Sequence, residues 1–176
     1  VEVTGDITKV LCGRTRPIHF RGVTTVVSKL FHISGANKAY FGEKDYQQVF
    51  LIEKMVRDLN FDIVIRRVPI VREESGLALS SRNEYLTSEE KFKALGIYEG
   101  LKKAKIAYAS GERGVAKLRD LVLKSILGNR GIVQYVEIVD RRNLQRCNGL
   151  LNNDVPVVIL VAAFFGNTRL IDNIEL

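Results

Sequence analysis

From His19 to Phe31 the apolar residues Phe20, Val23, Val26, Val27, Leu30 and Phe31 recur at helical spacing, which predicts an amphipathic helix. Lys38-Ala39-Tyr40-Phe41 reads as a short buried strand that Gly42 ends. Asp45 stands where it caps a second helix, with Val49, Ile52, Met55, Val56 and Leu59 on one face. Asp62 to Arg66, carrying Ile63, Val64 and Ile65, gives a second strand. A strand–helix–strand succession predicts parallel strands joined by a right-handed crossover.

The pattern changes after Pro69. Residues 71–86 are loop-like, and Thr87-Ser88-Glu89-Glu90 has the spacing of a capping box. A long helix follows to about Ala109, stopped by Gly111, and another runs from Val115 to Leu127. Three strands remain, Ile132 to Val139, Val157 to Phe164 and Thr168 to Ile174, the last two joined by a Gly166-Asn167 hairpin signal. The expected fold is α/β. Residues 1–70 form part of a Rossmann-like nucleotide-binding domain, and residues 71–176 form a carboxy-terminal α+β lid with an antiparallel sheet. One strand–helix–strand unit buries too little to complete a doubly wound sheet of the usual size, so the parallel sheet is expected to be incomplete.

At 46% hydrophobic and 27% charged, the 176 residues have the composition of an ordinary globular protein. The net charge of +7 comes from Lys and Arg interspersed with acids, with no platform of basic and aromatic residues. That favours a small polyanionic ligand, or an ordinary basic surface, over nucleic acid. The longest apolar run, Val155 to Phe165 with Pro156 inside it, fits a buried strand and is too short to span a membrane. The opening Val-Glu-Val-Thr-Gly-Asp has neither the basic nor the apolar part of a secretory leader, so a cytoplasmic protein is expected, with Cys12 and Cys147 as reduced thiols. Only His19 and His32 occur and no Cys-x-x-Cys, so a protein-built metal site is not expected.

Gly42-Glu43-Lys44-Asp45 lies where a strand's carboxyl end meets a helix amino end, the place where open α/β sheets bind anions. Gly42 admits a ligand to the backbone, Lys44 offers a compact charge to phosphate, and Asp45 suits a helix cap or a ribose hydroxyl. Gln48 points to the same mouth. A solvated turn with a routine cap explains the spacing equally well. Leu79-Ser80-Ser81-Arg82-Asn83 offers two hydroxyls and a guanidinium fork suited to phosphates; a polar surface loop is the alternative. His19 suits a proton donor or a structural hydrogen bond. Arg66-Arg67 reads equally well as ordinary surface, and Arg72-Glu73-Glu74 as a set of local ion pairs.

Arg16-Pro17-Ile18-His19-Phe20-Arg21-Gly22-Val23, Phe41-Gly42-Glu43-Lys44-Asp45-Tyr46-Gln47-Gln48, the run from Val71 to Asn83, and Thr168-Arg169-Leu170-Ile171-Asp172-Asn173 occur in an order that closely resembles the pantoate–β-alanine ligase family. The resemblance implies an adenylate-forming ligase of the nucleotidyltransferase superfamily: pantoate's carboxylate attacks ATP, and the amine of β-alanine then displaces AMP. It implies catalytic roles for Lys44 and Arg82. ATP would be bound by Gly42, Glu43, Lys44, Asp45, Val71, Leu79, Ser80, Ser81 and Arg82, and pantoate by Gln48. It further implies Mg2+ carried by the phosphates, a homodimer, and no nucleic-acid or membrane partner. Leu79 stands where the family commonly has Met, Ser75 where it has Asp, and Ile18 where it has Gly or Thr. The family's amino-terminal His-x-Gly-His-type motif has no counterpart here, so a preceding segment is expected and the chain by itself is expected to lack activity.

Overall fold

The computed structural model describes Val1–Leu176, which divide into two compact units, Val1–Pro69 and Ile70–Leu176. In the first, a 3-10 turn at Asp6–Thr8 and the short α1 (Cys12–Thr15) lead to α2 (His19–Ser34), β1 (Lys38–Gly42), α3 (Tyr46–Asp58) and β2 (Val64–Val68). The strands pair in parallel, Lys38 opposite Val64 and Gly42 opposite Val68. Phe20 and Val27 of α2 meet Leu51, Ile52 and Met55 of α3, with Phe41 and Ile65 packed against them. The apolar stripe of α2 is narrower than its spacing predicts: Val26 and Leu30 are exposed, and only the line through Phe20 and Val27 is buried. The helix also runs a turn past Phe31, to a Gly35 cap whose N–H donates to the Phe31 carbonyl.

Strand β2 starts later than expected. The Ile63 N–H donates to the Phe61 carbonyl in a tight turn, and sheet pairing begins with Val64, whose N–H donates to Asn37. Along the strands, Ala39, Phe41, Ile65 and Arg67 are half-buried, whereas Tyr40 and Val64 on the alternate row are exposed. One glutamine ties residues 7, 10 and 12 to α3. The Gln47 carboxamide accepts from the Cys12 N–H at 3.0 Å and donates to the carbonyls of Ile7 at 2.8 Å and Val10 at 2.9 Å.

The second unit contains a 3-10 turn (Ser81–Tyr85), α4 (Ser88–Ala109), α5 (Val115–Gly128), β3 (Ile132–Asp140), β4 (Val157–Phe165) and β5 (Thr168–Glu175). The strands form an antiparallel sheet in the order β3-β4-β5. Leu101 of α4, Leu118 and Ile126 of α5, Ile138 of β3, and Ile159 and Phe165 of β4 share one core. Both halves of the capping box at α4 form. Thr87 Oγ1 accepts from the Glu90 N–H at 3.2 Å, and Glu90 Oε2 accepts from the Thr87 N–H at 2.8 Å. The hairpin turn has positive φ only at Gly166 (54°), which suits a two-residue connection with glycine in its first position.

Candidate functional site

On the first unit, Gly42 closes β1 and Glu43–Asp45 make a 3-10 turn before α3. Gly42 has φ −70° and ψ 129°, open to any residue, and a Cβ there would meet nothing within 4 Å. The fold itself therefore makes no demand for glycine at this point; only something outside the chain would use the bare backbone. Asp45 occupies the cap position of α3 but makes no side-chain cap hydrogen bond, because at φ −91° and ψ 55° the 3-10 turn holds it away from extended cap geometry. The expected cap is thus absent and the Asp45 carboxylate is exposed. Glu43, Lys44 and Gln48 are half-buried on the same turn and first helical residues, whereas Gln47 points inward and is buried.

The helix that follows this turn is braced by the neighbouring strand. Arg67, opposite Phe41 in the sheet, donates Nε and Nη2 to the two carboxylate oxygens of Glu53, each at 2.7 Å, and its guanidinium lies 5.0 Å from the Tyr46 ring centroid. The hydrogen bonds to Glu53 hold the guanidinium above its ordinary pKa against the effect of burial. Arg67 is therefore not ordinary surface: it ties β2 to the first turns of α3. His19, at the start of α2, has Nε2 3.3 Å from Arg16 Nη1 and its ring 5.1 Å from that of Phe20.

On the second unit, residues 71–79 form a narrow hairpin. The Leu79 N–H donates to the Val71 carbonyl at 2.9 Å, the Glu73 N–H donates to the Leu77 carbonyl at 2.8 Å, and Arg72 faces Ala78 in an antiparallel bridge. Val71 and Leu79 project outward, 60% and 56% exposed. Ser80 then starts the 3-10 turn, its Oγ accepting from the Arg82 N–H at 3.3 Å, and Ser81 and Arg82 are exposed. Arg82 also lines a cleft of about 530 Å³ with Tyr85, Glu90, Asn167, Thr168 and Arg169. The predicted residues thus gather into two sets, one on each unit.

The local ion pairs expected of Arg72-Glu73-Glu74 do not form. Arg72 reaches across the sequence to Asp172 on β5, with Nη1 at 2.7 Å and Nη2 at 2.9 Å from its two carboxylate oxygens. Glu73 instead accepts from the Asn83 amide at 2.9 Å. Local spacing carries no trace of a contact with Asp172; the one clue is that both residues fall within motifs that resemble the ligase family. Cys12 and Cys147 form no disulfide, and burial pushes the Cys147 thiol above its ordinary pKa.

A parallel strand–helix–strand unit with a Lys-bearing turn between its first strand and its helix, followed by an α+β unit with a Ser-Ser-Arg turn, defines an α/β protein suited to an anionic ligand. The chain belongs to the pantoate-beta-alanine ligase family, whose model matches residues 1–175. It is 51% identical over 174 residues to a pantothenate synthetase of Enterococcus faecalis, covering 98% of this chain and 60% of that protein. It is 49% identical over 168 residues to a pantoate–beta-alanine ligase of Arabidopsis thaliana, covering 96% and 53%. The crystal structure of pantothenate synthetase from Thermus thermophilus superposes with a TM-score of 0.92 at 39% identity, over 99% of this chain and 62% of that one. The pantoate-beta-alanine ligase of Francisella tularensis, complexed with beta-gamma ATP and beta-alanine, matches at a TM-score of 0.73 and 36% identity, over 99% and 57%. The chain therefore spans about 60% of the length of the Enterococcus relative.

Proposed function

We propose that this chain supplies the nucleotide-contacting residues of an ATP-dependent, AMP-forming ligase that joins pantoate to β-alanine. Pantoate's carboxylate oxygen attacks the α-phosphorus of ATP, forming pantoyl adenylate as pyrophosphate leaves. The β-alanine amine then attacks the acyl carbon, loses a proton, and expels AMP to give pantothenate. The first step makes the carboxylate a competent acyl donor, because AMP leaves where oxide would not.

In this reading Gly42 and Asp45 contact the ribose, with Glu43 beside them. Lys44 and the Leu79-Ser80-Ser81-Arg82 turn receive the phosphates, the Val71 backbone meets adenine, and Gln48 holds pantoate. Lys44 and Arg82 oppose the charge that builds on the phosphates as the P–O bond to the leaving group breaks. The observation that carries this is Gly42: a strand-end glycine that the fold does not require, beside a lysine, in a chain of this family. Mg2+ would arrive with ATP, carried by its phosphate oxygens. When bound, it would neutralise phosphate charge. Residues 1–70 would act as the nucleotide-binding domain and residues 71–176 as its lid, in a cytoplasmic homodimer. No helix is long and apolar enough to cross a membrane.

The test is a chimera in which this chain replaces the matching residues of the Enterococcus faecalis relative. Release of AMP that requires pantoate, β-alanine and ATP together is the expected result. A folded chimera that hydrolyses or binds no ATP in the presence of pantoate overturns the assignment.

A further inference from the structure

We infer that Arg72 and Asp172 are positioning residues that hold the 71–79 hairpin at the register the nucleotide needs; this rests on the ATP role proposed above. In an extended segment neighbouring side chains point to opposite faces, so a residue locked inward fixes its neighbour outward. Two of the exposed residues assigned to ATP have such a neighbour within the hairpin: Arg72 adjoins Val71, and buried Ala78 adjoins Leu79. In the turn that follows, Arg82 adjoins Asn83, which is only 3% exposed.

Arg72 is gripped on three sides. Asp172 takes it in a bidentate pair, with side-chain exposures of 18% for the arginine and 4% for the aspartate. Its Nη1 also donates to the Gly76 carbonyl at 3.1 Å, and its guanidinium carbon sits 3.8 Å from the Tyr98 ring centroid. Gly76, at the hairpin tip with φ 97°, lies on the same ring: a Cβ there would be 2.8 Å from Tyr98 Cδ1. On the other side, the Asn83 amide donates to Glu73 Oε1 at 2.9 Å and to the Ala78 carbonyl at 3.1 Å. The first arm of the hairpin is thus bolted to α4 and β5, and Asn83 of the phosphate-facing turn is bolted to both arms. The Leu79–Val71 hydrogen bond makes the two arms one body, so the adenine-facing backbone and the phosphate-facing turn are presented together. Pre-ordering of this kind lowers the cost of binding ATP and leaves the binding of the other substrates untouched.

The experiment uses Arg72→Lys, Asp172→Asn and the double variant in the chimera. A Lys cannot reproduce the planar fork, so each single change is expected to raise the ATP KM roughly tenfold with the β-alanine KM unchanged. The double variant is expected to be no worse than the poorer single one, since both changes remove the same contact. A lowered Tm with ATP KM unchanged, or additive effects, overturns the inference. A wild-type chimera without activity overturns the functional reading instead. Independently, amide hydrogen exchange in the 176-residue chain is expected to quicken at Leu79 and Glu73 in Arg72→Lys but not in β4. Unchanged exchange at those two amides overturns the anchor whatever the chimera does.

Discussion

Gly166→Ala tests how the hairpin turn and the start of α4 depend on each other. Gly166 has φ 54°, and an alanine Cβ there would lie 1.9 Å from Glu90 Oε1. Left-handed backbone costs an alanine about 1 kcal/mol relative to glycine. The clash falls on the end of a flexible side chain, so Glu90 swings away; in doing so its Oε2 gives up the Thr87 N–H, at 2.8 Å, and the Thr87 hydroxyl, at 3.0 Å. Losing that half of the capping box costs about 1 kcal/mol more. The sum, about 2 kcal/mol, lowers Tm by roughly 4–8 °C in a chain of this size. Thermal unfolding followed by circular dichroism measures it, with Glu90→Ala as the second arm of a double-mutant cycle. Without the Glu90 carboxylate only the backbone component remains, so the penalty should fall by about half. An equal penalty in both backgrounds refutes the coupling, and no penalty in either refutes the backbone cost as well.

Gly42→Ala is expected to leave stability within about 0.5 kcal/mol of wild type, since the position is conformationally ordinary and open, while raising the ATP KM of the chimera. A destabilised variant with normal ATP kinetics would show that the glycine serves the fold. Lys44→Ala should slow single-turnover adenylate formation roughly a hundredfold or more with the fold intact, and an unchanged rate removes Lys44 from the phosphate site. Asp140 accepts from Arg142 Nη2 at 2.7 Å and from its N–H at 2.8 Å, and the arginine holds the carboxyl below the usual range. Its folded pKa is the lower one, so its contribution is complete above the ordinary carboxylate value and is lost as pH falls through the folded value. Denaturant unfolding of wild type should therefore weaken more than that of Asp140→Asn on acidification below about pH 4. Parallel pH profiles would contradict this.

The elements legible in the sequence were those with a local signature. The capping box at Thr87, the hairpin turn at Gly166-Asn167 and the periodicity of α3 through Val49, Ile52 and Met55 each depend on neighbours within a turn or two, whereas Leu59, expected on the same face, falls past the helix end and is exposed. The family was legible because several motifs kept their order. What the pattern misjudged depended on partners distant in sequence or, at Asp45, on the local backbone. Val26 and Leu30 match the helical stripe of α2 but lie off the line that meets α3. Asp45 has the residue type of a cap, yet it is itself the last residue of a 3-10 turn, a backbone that no composition rule reveals. Arg67 reads as ordinary surface and Arg72 as part of a local ion-pair set because Glu53 and Asp172 come near only once strands and helices have assembled.

Gln47 has a consequence for the order in which the first unit assembles. One carboxamide fastens residues 7, 10 and 12, a stretch whose own regular structure is two very short turns. The contacts lie 35 to 40 residues away in sequence, so this stretch gains little until α3 exists to present the side chain. The stretch is therefore expected to order after α3, so that its amides, Cys12 among them, exchange faster than those of α3.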